Sequence, residues 1–265
     1  MDAQRRLAYR RYEGNAVRPV EEDVIAEASV ALAVNGEPWL SFLCTPRDLE
    51  AFAAGFLYNE GLITAADEIG SVTVCGHGDL IDVWLTRPVE RPSLWQRTSG
   101  CTGGVTANAG DTIAATIAPP DDGGLTLRPA DVMGLVSRLF ESQDLYLSAG
   151  GVHTSALSDG ETILFSVEDI GRHNTFDKIV GRCLLGGVTP RRRVLLTTGR
   201  VSSEMLQKAA RFGAAMVISR TSPTSLSVEL AERWGITLIG YARPDRFDVY
   251  AGGRRIVDGS RATGA

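Results

Sequence analysis

The sequence predicts an α/β protein in two parts: a mixed, strand-rich N-terminal domain (residues 1–118) and an α/β C-terminal domain (residues 125–265). Strand-like apolar runs dominate the first part, and helix and strand patterns alternate in the second. Between them, residues 119–124 have the Pro-, Asp- and Gly-rich composition of a linker. A hydrophobic content of 44% with 7% aromatic residues excludes a disordered or fibrous chain.

The N-terminal part is predicted to consist of strands around one helix. Asn35-Gly36 favours a tight hairpin turn, and residues 76–79 form a second turn. The predicted strands are residues 24–34, 39–44, 71–75 and 80–85. A Gly-, Thr- and Ser-rich segment at residues 98–110 interrupts the pattern.

Thr45, Pro46 and Asp48 predict the start of the single N-terminal helix. Thr45 is suited to cap the helix, Pro46 to occupy its first position and Asp48 to lie at its positive end. An apolar stripe at a spacing of three to four residues continues this helix to about Gly61.

The C-terminal part alternates between amphipathic helices and short apolar strands. The predicted helices are residues 129–142, 174–185, 202–212 and 224–234. The predicted strands are residues 151–157, 163–167, 194–198, 215–219, 237–241 and 247–251. This alternation predicts a largely parallel sheet that is covered on both faces.

Charge and targeting features exclude several function classes. The chain has 27 Lys and Arg against 32 Asp and Glu, a net charge of −5, and no basic arm, so we expect no nucleic-acid binding. Residues 1–12 lack the apolar core of a secretory signal, and no apolar run approaches the roughly 20 residues of a membrane span. These features predict a cytoplasmic protein that does not bind membranes.

Three predicted strand ends carry small polar residues and arginines, at residues 168–174, 197–203 and 219–225. Open α/β sheets bind ligands at this edge, and helix N-termini attract anions, so we expect a phosphate-bearing ligand there. The candidate ligand-binding residues at these ends are His173, Arg200, Ser202, Ser203 and Thr221. The alternative is that Ser202, Ser203, Thr224 and Ser225 are helix caps.

Residues 241–246 form a further candidate segment, which adds two guanidinium groups where another strand ends. Its alternative interpretation is a solvated turn in which Pro244 and Asp245 are the turn residues.

The four cysteines form no Cys-x-x-Cys pair, which indicates neither a disulfide scaffold nor a zinc site. Cys183 lies on an apolar helical stripe, and Cys44 and Cys75 close apolar strands, so all three are predicted to be core residues. Cys101 has no apolar neighbours. Its glycine- and hydroxyl-rich surroundings suit a nucleophilic or sulfur-carrying thiol, with a tight-turn residue as the alternative.

The three histidines carry weaker signals. His173 opens a helix beside Glu168, Asp169 and Arg172, which suits proton transfer or ligand binding, with a structural cap or strand-edge histidine as the alternative. His77, two residues after a cysteine, has no further spaced ligands, so no metal site is predicted. The role of His153 is not decided by its neighbours.

The sequence resembles the FdhD family, sulfurtransferases that are needed to make formate dehydrogenase active. The resemblance spans most of the chain. It is carried by residues 56–63, the Cys101 loop, residues 150–156 and, most specifically, residues 168–178, 197–205 and 219–224.

The resemblance implies a fold similar to the cytidine deaminases and a homodimer. It also implies that a cysteine desulfurase loads sulfur onto Cys101 as a persulfide. That sulfur then passes to the Mo-bis(molybdopterin guanine dinucleotide) cofactor, which the protein holds as a bound substrate for formate dehydrogenase. The segment that matches the family's cofactor-binding stretch is Tyr241, Ala242, Arg243, Pro244, Asp245 and Arg246.

One departure from the family pattern leaves alternatives open. Many members carry Cys-x-x-Cys in the loop, whereas Gly104 stands at the second position here. A single cysteine can still carry a persulfide, but it cannot resolve it through a disulfide within the motif. The main alternative is a non-catalytic chaperone for the molybdenum cofactor. A zinc nucleobase deaminase is disfavoured, since the sequence lacks H-x-E and P-C-x-x-C.

Overall fold

The computed structural model describes residues 1–93, 96–97, 105–106 and 117–257. Helices and strands are mixed within these ranges, which confirms the predicted α/β class. The kinship with cytidine deaminases and the division into two domains at residues 118 and 125 stay predictions.

The described strands fall into four sheets. They are β1 (Gln4–Glu13), β2 (Ala16–Ile25), β3 (Ala28–Val34), β4 (Glu37–Cys44), β5 (Ile69–Cys75), β6 (Leu80–Leu85), β7 (Gln96–Arg97), β8 (Val105–Thr106), β9 (His153–Ser158), β10 (Ile163–Asp169), β11 (Val194–Thr197), β12 (Met216–Ser219), β13 (Thr237–Gly240) and β14 (Asp248–Ala251).

The described α-helices are α1 (Leu49–Asn59), α2 (Pro129–Glu141), α3 (Asp144–Ala149), α4 (Arg172–Gly186), α5 (Ser203–Arg211) and α6 (Ser225–Trp234). None of these helices is long and apolar enough to cross a membrane.

A four-stranded sheet in the order β4-β3-β6-β5 forms the core of the N-terminal part. The predicted hairpin is confirmed: Asn35 and Gly36 adopt φ angles of 52° and 80°, the left-handed backbone that a two-residue hairpin needs. Helix α1 packs on this sheet, where the ring of Phe42 meets Phe52 and Phe56 edge-on with centroids 4.7 Å apart.

A six-stranded sheet in the order β10-β9-β11-β12-β13-β14 forms the second core. Within it, β11–β12 and β12–β13 pair in parallel, whereas β10–β9, β9–β11 and β13–β14 are antiparallel. The prediction of a largely parallel sheet is therefore wrong. Apolar clusters cover both faces, as predicted, and this two-sided burial produces apolar runs whatever the strand direction.

Helices α1 and α4 cross at two glycines and so join the two sheets. A Cβ atom on Gly55 would lie 1.8 Å from the carbonyl oxygen of Asp177, and one on Gly181 would lie 1.7 Å from that of Ala51. Real Cβ atoms do not approach backbone this closely, so the crossing requires glycine at both positions.

The predicted start of α1 is wrong. Thr45 and Pro46 lie before the helix, and Asp48, with φ of 55°, precedes its first residue without a side-chain cap. Thr45 serves a different purpose, because its N–H donates to Asp169 at 3.1 Å and its carbonyl oxygen accepts from Lys178 at 3.1 Å. This buried tertiary network overrides the local capping preference.

The ribbon formed by β1 and β2 was not predicted as such. The two strands pair over ten residues each, from Gln4 opposite Ile25 to Glu13 opposite Ala16, and most of their side chains are exposed. A ribbon that is exposed on both faces needs no alternation of apolar residues, so hydrophobic periodicity does not reveal it. The predicted strand at residues 24–34 is in fact split between β2 and β3.

The predicted linker at residues 119–124 is held against the C-terminal part by ion pairs. Asp121 lies 3.3 Å from Arg191, and Asp122 lies 2.6 Å from the buried Arg255. Immediately afterwards, Leu125 is buried in the apolar cluster on the α2 face of the second sheet.

Candidate functional site

The three polar strand ends meet at one edge of the six-stranded sheet, as predicted. β10, β11, β12 and β13 run in the same direction, so their carboxyl ends lie together. β9 runs in the opposite direction and begins at this edge, where His153 pairs in register with Asp169. This edge is where open α/β sheets bind ligands.

Asp169 organises the first strand end. Its carboxylate accepts from the N–H of Gly171 at 2.7 Å and from the side chain of Asn174 at 2.8 Å. The same carboxylate forms an ion pair of 2.7 Å with Lys178, and both charged side chains are fully buried. These contacts fix the first turn of α4, which carries Arg172 and His173.

Gly199 brings the second strand end against this turn. A Cβ atom on Gly199 would lie 2.8 Å from the Cβ of Arg172, so the stem of the arginine crosses directly over the glycine backbone. Ser202 is buried; its hydroxyl caps α5 by accepting from the N–H of Met205 and donates to Glu204 at 2.9 Å. The cap interpretation is therefore confirmed for Ser202, while Ser203 is the first residue of α5.

His173 lies at the junction of these two strand ends and is only 5% exposed. Neither of its ring nitrogens has a hydrogen-bond partner among the described residues, and Nε2 lies 3.9 Å from the carboxylate of Glu204. Burial, followed by the positive charges of Lys208 and Arg172, holds the pKa of His173 well below its ordinary value. The imidazole is therefore neutral at physiological pH. It does not act as a helix cap.

A second buried ion pair, beside His173, was missed in the sequence analysis. Lys208 donates to both carboxylate oxygens of Asp177 at 2.6 and 2.7 Å, and Asn59 of α1 donates to the same carboxylate at 2.7 Å. Burial raises the pKa of Asp177. The sequence did contain a signal for this pair: Lys178 and Lys208 are the only lysines in a chain whose other basic residues are arginines.

The third strand end is formed by hydroxyl groups. Ser219 donates to the carbonyl oxygen of Gly199 at 2.7 Å, and its oxygen lies 3.2 Å from the hydroxyl of Thr221. Thr224 caps α6 by accepting from the N–H of Ser227. This end is thus bonded to the second one, and Thr224 is a helix cap, whereas Ser225 is the first residue of α6.

Residues 241–246 leave the same edge after β13. Tyr241 has a φ of 48°, which is unusual for a tyrosine, and its side chain is 46% exposed. The main chain holds this conformation: the N–H of Tyr241 donates to Thr221 at 3.1 Å, and that of Ala242 donates to Ser219 at 3.0 Å. The segment therefore presents an aromatic ring to solvent on a fixed backbone.

The two guanidinium groups of this segment differ. Nη1 of Arg243 donates to the carbonyl oxygens of Arg220 at 2.6 Å and Ala242 at 2.9 Å, so it holds the loop together. Arg246 is exposed, as are Pro244 and Asp245. The interpretation of Pro244 and Asp245 as residues of a solvated turn agrees with this exposure.

Two of the four cysteine thiols are unreactive because they are buried. Burial raises the pKa of Cys44 to about 12 and that of Cys183 to about 11, and both side chains lie in apolar clusters, as predicted. Cys75 is only half-buried, so its assignment to the core is wrong. It ends β5, where a turn leaves one side open.

Cys101 and Gly104 lie outside the described residues, and so do most of residues 98–110. The described strands on either side, β7 and β8, pair antiparallel with Arg97 opposite Val105. The role of Cys101 therefore stays a prediction.

The comparisons with known proteins agree with one another. The sequence profile of the FdhD/NarQ family matches residues 25–257. Proteins named sulfur carrier protein FdhD from Staphylococcus aureus strains RF122 / ET3-1 and MRSA252 are 34% identical over 251 residues, which cover 94% of this chain and 94% of each relative.

A comparison with solved structures also finds a protein connected with formate dehydrogenase. A protein from Desulfotalea psychrophila, assigned as a formate dehydrogenase accessory protein, superposes with a TM-score of 0.80 at 30% sequence identity. The match covers 96% of this chain and 100% of that chain.

Proposed function

This chain belongs to the FdhD/NarQ family, and from that membership we propose that it is a sulfur carrier that supports formate dehydrogenase. Cys101 holds the sulfur as a persulfide, and a cysteine desulfurase supplies it. The protein works as a homodimer in the cytoplasm.

The observation that carries the assignment to Cys101 is the state of the other thiols. A sulfur carrier must present a thiolate, and the raised pKa values of Cys44 and Cys183 keep both thiols protonated. Cys75, at a half-buried strand end, is the remaining competitor. Cys101 alone has glycine neighbours and also lies in the family's loop motif.

The loading step exchanges one thiolate for another. The Cys101 thiolate attacks the outer sulfur of the desulfurase persulfide, the S–S bond of that persulfide breaks, and the desulfurase thiolate leaves. No net oxidation or reduction occurs. Delivery to the cofactor returns Cys101 to a thiol, and reduction of the transferred sulfur to sulfide takes two electrons from a thiol reductant.

The carboxyl edge of the six-stranded sheet is where the cofactor binds as substrate. Exposed Arg246 offers a guanidinium to a phosphate, and the exposed ring of Tyr241 offers a stacking surface to a guanine or pterin. Arg200 is exposed at the neighbouring strand end, close to His173. Ser202, Ser203 and Thr221 contribute to the edge chiefly by fixing its backbone.

We expect mass spectrometry to detect one added sulfur on Cys101 after the protein is incubated with a cysteine desulfurase and cysteine. Cys101→Ser should abolish this gain, because Cys44 and Cys183 are buried and Cys75 lies outside the family's loop motif. Cys75→Ser is the matched control and should load as the wild type does. Sulfur that maps to Cys75, or loading that survives in Cys101→Ser, would remove Cys101 from the mechanism.

The replacement of the second loop cysteine by Gly104 favours one other candidate, a chaperone that shelters the molybdenum cofactor without transferring sulfur. The two functions differ in a strain that lacks this protein. A sulfur carrier with Cys101→Ala does not restore formate dehydrogenase activity, whereas a chaperone with the same change restores it fully.

A further inference from the structure

We propose that the apolar cavity between α1, the C-terminal half of α4 and the end of α5 binds a small amphipathic carboxylate. The apolar tail of this ligand packs against α4, and its head group binds the guanidinium of Arg193. The cavity has a volume of about 300 Å³. The inference is independent of the proposed function, and it adds a second binding site to the molecule.

The cavity lies away from the carboxyl edge of the six-stranded sheet. Arg193 comes directly before β11, and Phe212, which follows α5, comes shortly before β12. These two strands pair in parallel, so both residues lie at the amino ends of the strands. The three polar strand ends and residues 241–246 lie at the opposite end. A ligand in this cavity is therefore a different one from any that binds at the carboxyl edge.

The first observation is that the walls of the cavity are mostly apolar. Val180 and Leu184 line it from α4, Tyr58 lines it from α1, and Phe212 lines it from the end of α5. The polar end of Tyr58 is occupied, because its hydroxyl donates to the carbonyl oxygen of Arg211 at 3.2 Å. Small-molecule sites are usually lined in this way, with a few polar groups that fix the orientation of the ligand. These walls favour an apolar ligand over a sugar or a nucleotide.

The size of the cavity limits the ligand to a small molecule. Its volume lies at the lower end of the roughly 300–1,000 Å³ that ligand pockets occupy. A helix of a partner protein, about 10 Å wide and 5.4 Å long per turn, would need more room. The chain reverses at Gly187, where a Cβ atom would meet no described atom within 4 Å, so the cavity is open to solvent on this side. A ligand can therefore enter the folded molecule.

The second observation is a positive charge without a counterion. Among the described residues, Arg193 alone brings a charge to the lining of the cavity, and no carboxylate forms an ion pair with it. Thr64 also lines the cavity and binds Glu68, but that carboxylate is already paired with Arg87. Arg193 is half-buried, where a charge is less screened by water than on the surface. A negative head group on the ligand would supply the missing counterion.

The third observation is that the guanidinium of Arg193 is held in place before any ligand binds. Nε donates to the carbonyl oxygen of Pro190 at 2.9 Å, and Nη1 donates to that of Phe212. The guanidinium carbon lies 4.8 Å from the centroid of the Phe212 ring. Nη2 has no hydrogen-bond partner among the described residues, so it is available to a carboxylate. Because the side chain is already ordered, binding costs little further entropy.

The thiol of Cys183, which lines the cavity from α4, reflects both properties of the site. Burial raises the pKa of Cys183 to about 11, and the positive charge of Arg193 acts in the opposite direction. The thiol therefore lies in an apolar environment that the charge of Arg193 reaches. An amphipathic carboxylate matches both: its tail displaces water from the apolar walls, and its head group pairs with the guanidinium.

Isothermal calorimetry on the full chain tests the proposal, with octanoate, octanol and hexanoate as probes below their aggregation limits. We expect octanoate to bind saturably at one site. Octanol has the same tail without the charge, so it should bind about tenfold more weakly, which is the usual contribution of a hydrogen bond to a charged group. Hexanoate lacks two methylenes and should bind about fifteenfold more weakly than octanoate, at roughly fourfold for each buried methylene.

Two variants locate the head group and the tail. Arg193→Gln should weaken octanoate binding about tenfold and leave octanol binding unchanged. Arg192→Gln removes the preceding, exposed arginine and is the matched control, which should bind as the wild type does. Ala66→Trp places a large ring in the cavity from an exposed wall position and should abolish binding of both probes. Ala8→Trp, on the exposed β1 strand, is its control and should leave binding unchanged.

Three outcomes would overturn the proposal: no saturable binding of octanoate, equal affinity of the wild type for octanoate and octanol, or octanoate binding that persists in Ala66→Trp. If Arg193→Gln does not fold, the comparison of octanoate with octanol in the wild type decides the role of the charge. Phenylpropionate identifies the tail. Tighter binding of it than of octanoate indicates an aromatic acid and weaker binding an aliphatic one, and both support the site. Sulfur loading of Cys101 is measured separately, so the two proposals fail independently.

Discussion

Lys178 and Lys208 are the two lysines of the chain, and each holds a buried aspartate. Lys178 pairs with Asp169 at 2.7 Å and Lys208 with Asp177 at 2.6 Å, and none of the four side chains is more than 7% exposed. Each lysine ammonium is a compact point charge with three donors, and both are enclosed together with their carboxylates.

Loss of the Lys208 ammonium should destabilise the protein strongly. Lys208→Met leaves the Asp177 carboxylate buried without its cation, and we expect a loss of about 3–5 kcal/mol in the free energy of unfolding. Because burial raises the pKa of Asp177 above its unfolded value, the protonated acid is favoured in the folded chain. The loss should thus be smallest at acid pH and grow as pH rises through the ordinary carboxyl range, as urea unfolding at several pH values would reveal.

The double variant Lys208→Met with Asp177→Asn is the control for this prediction. It removes both charges, so most of the lost stability should return. The remaining loss in the free energy of unfolding should no longer depend on the titration of Asp177. Equal destabilisation of the single and double variants would show that packing, rather than an unpaired charge, determines the cost.

Arg243 and Arg246 should behave differently in ligand binding. Arg246→Ala removes an exposed guanidinium and should weaken GDP binding several-fold in calorimetry with no loss of thermal stability. Arg243→Ala should lower the melting temperature as well, because it removes two hydrogen bonds to carbonyl oxygens. GDP affinity that is unchanged in Arg246→Ala would place the guanine nucleotide elsewhere.

At the scale of elements, the crossing of α1 and α4 connects the N-terminal sheet to the candidate site. Gly55 and Gly181 allow the two backbones to touch, and Asn59 at the end of α1 reaches the Asp177 carboxylate on α4. The first turn of α4 carries His173. The N-terminal part therefore sets the position of the site even though it supplies few of its side chains.

Gly181→Ala should destabilise the protein by about 3 kcal/mol or more, because the added methyl would overlap the carbonyl of Ala51 and force the helices apart. Gly186→Ala, in the same helix, is the matched control. Among the described residues its Cβ would meet nothing closer than 3.7 Å, so helix propensity should leave stability unchanged or raise it by up to about 1 kcal/mol. Guanidinium unfolding measures both. Similar effects of the two changes would contradict a crossing that depends on glycine.

At the scale of the whole molecule, local signals predicted the elements, and contacts distant in sequence decided the rest. The strand ends at residues 168–174, 197–203 and 219–225 were found because hydroxyls, glycines and arginines follow apolar runs, and they do meet at one edge. Strand direction was not predictable, since β9 is inserted antiparallel between β10 and β11 and burial on both faces hides this.

At the candidate site, too, local sequence predicted some features and contacts between distant segments determined the others. His173 was singled out because it opens a helix among charged residues, but its burial without a hydrogen-bond partner among the described residues depends on the packing of α5, which carries Glu204 and Lys208. The role of Thr45 depends likewise on Asp169, which is 124 residues away in the sequence. Properties that arise from burial between distant segments cannot be deduced from neighbours in the chain.

The burial of Lys178 and Lys208 has a practical consequence for anyone who handles this protein. No lysine side chain offers an amine to solvent, so acylating dyes, aldehyde fixatives and amine-reactive cross-linkers have no lysine target on the folded molecule. The same holds for enzymes that acetylate or ubiquitinate lysines. Partial unfolding would expose the two lysine amines and make them reactive toward such reagents.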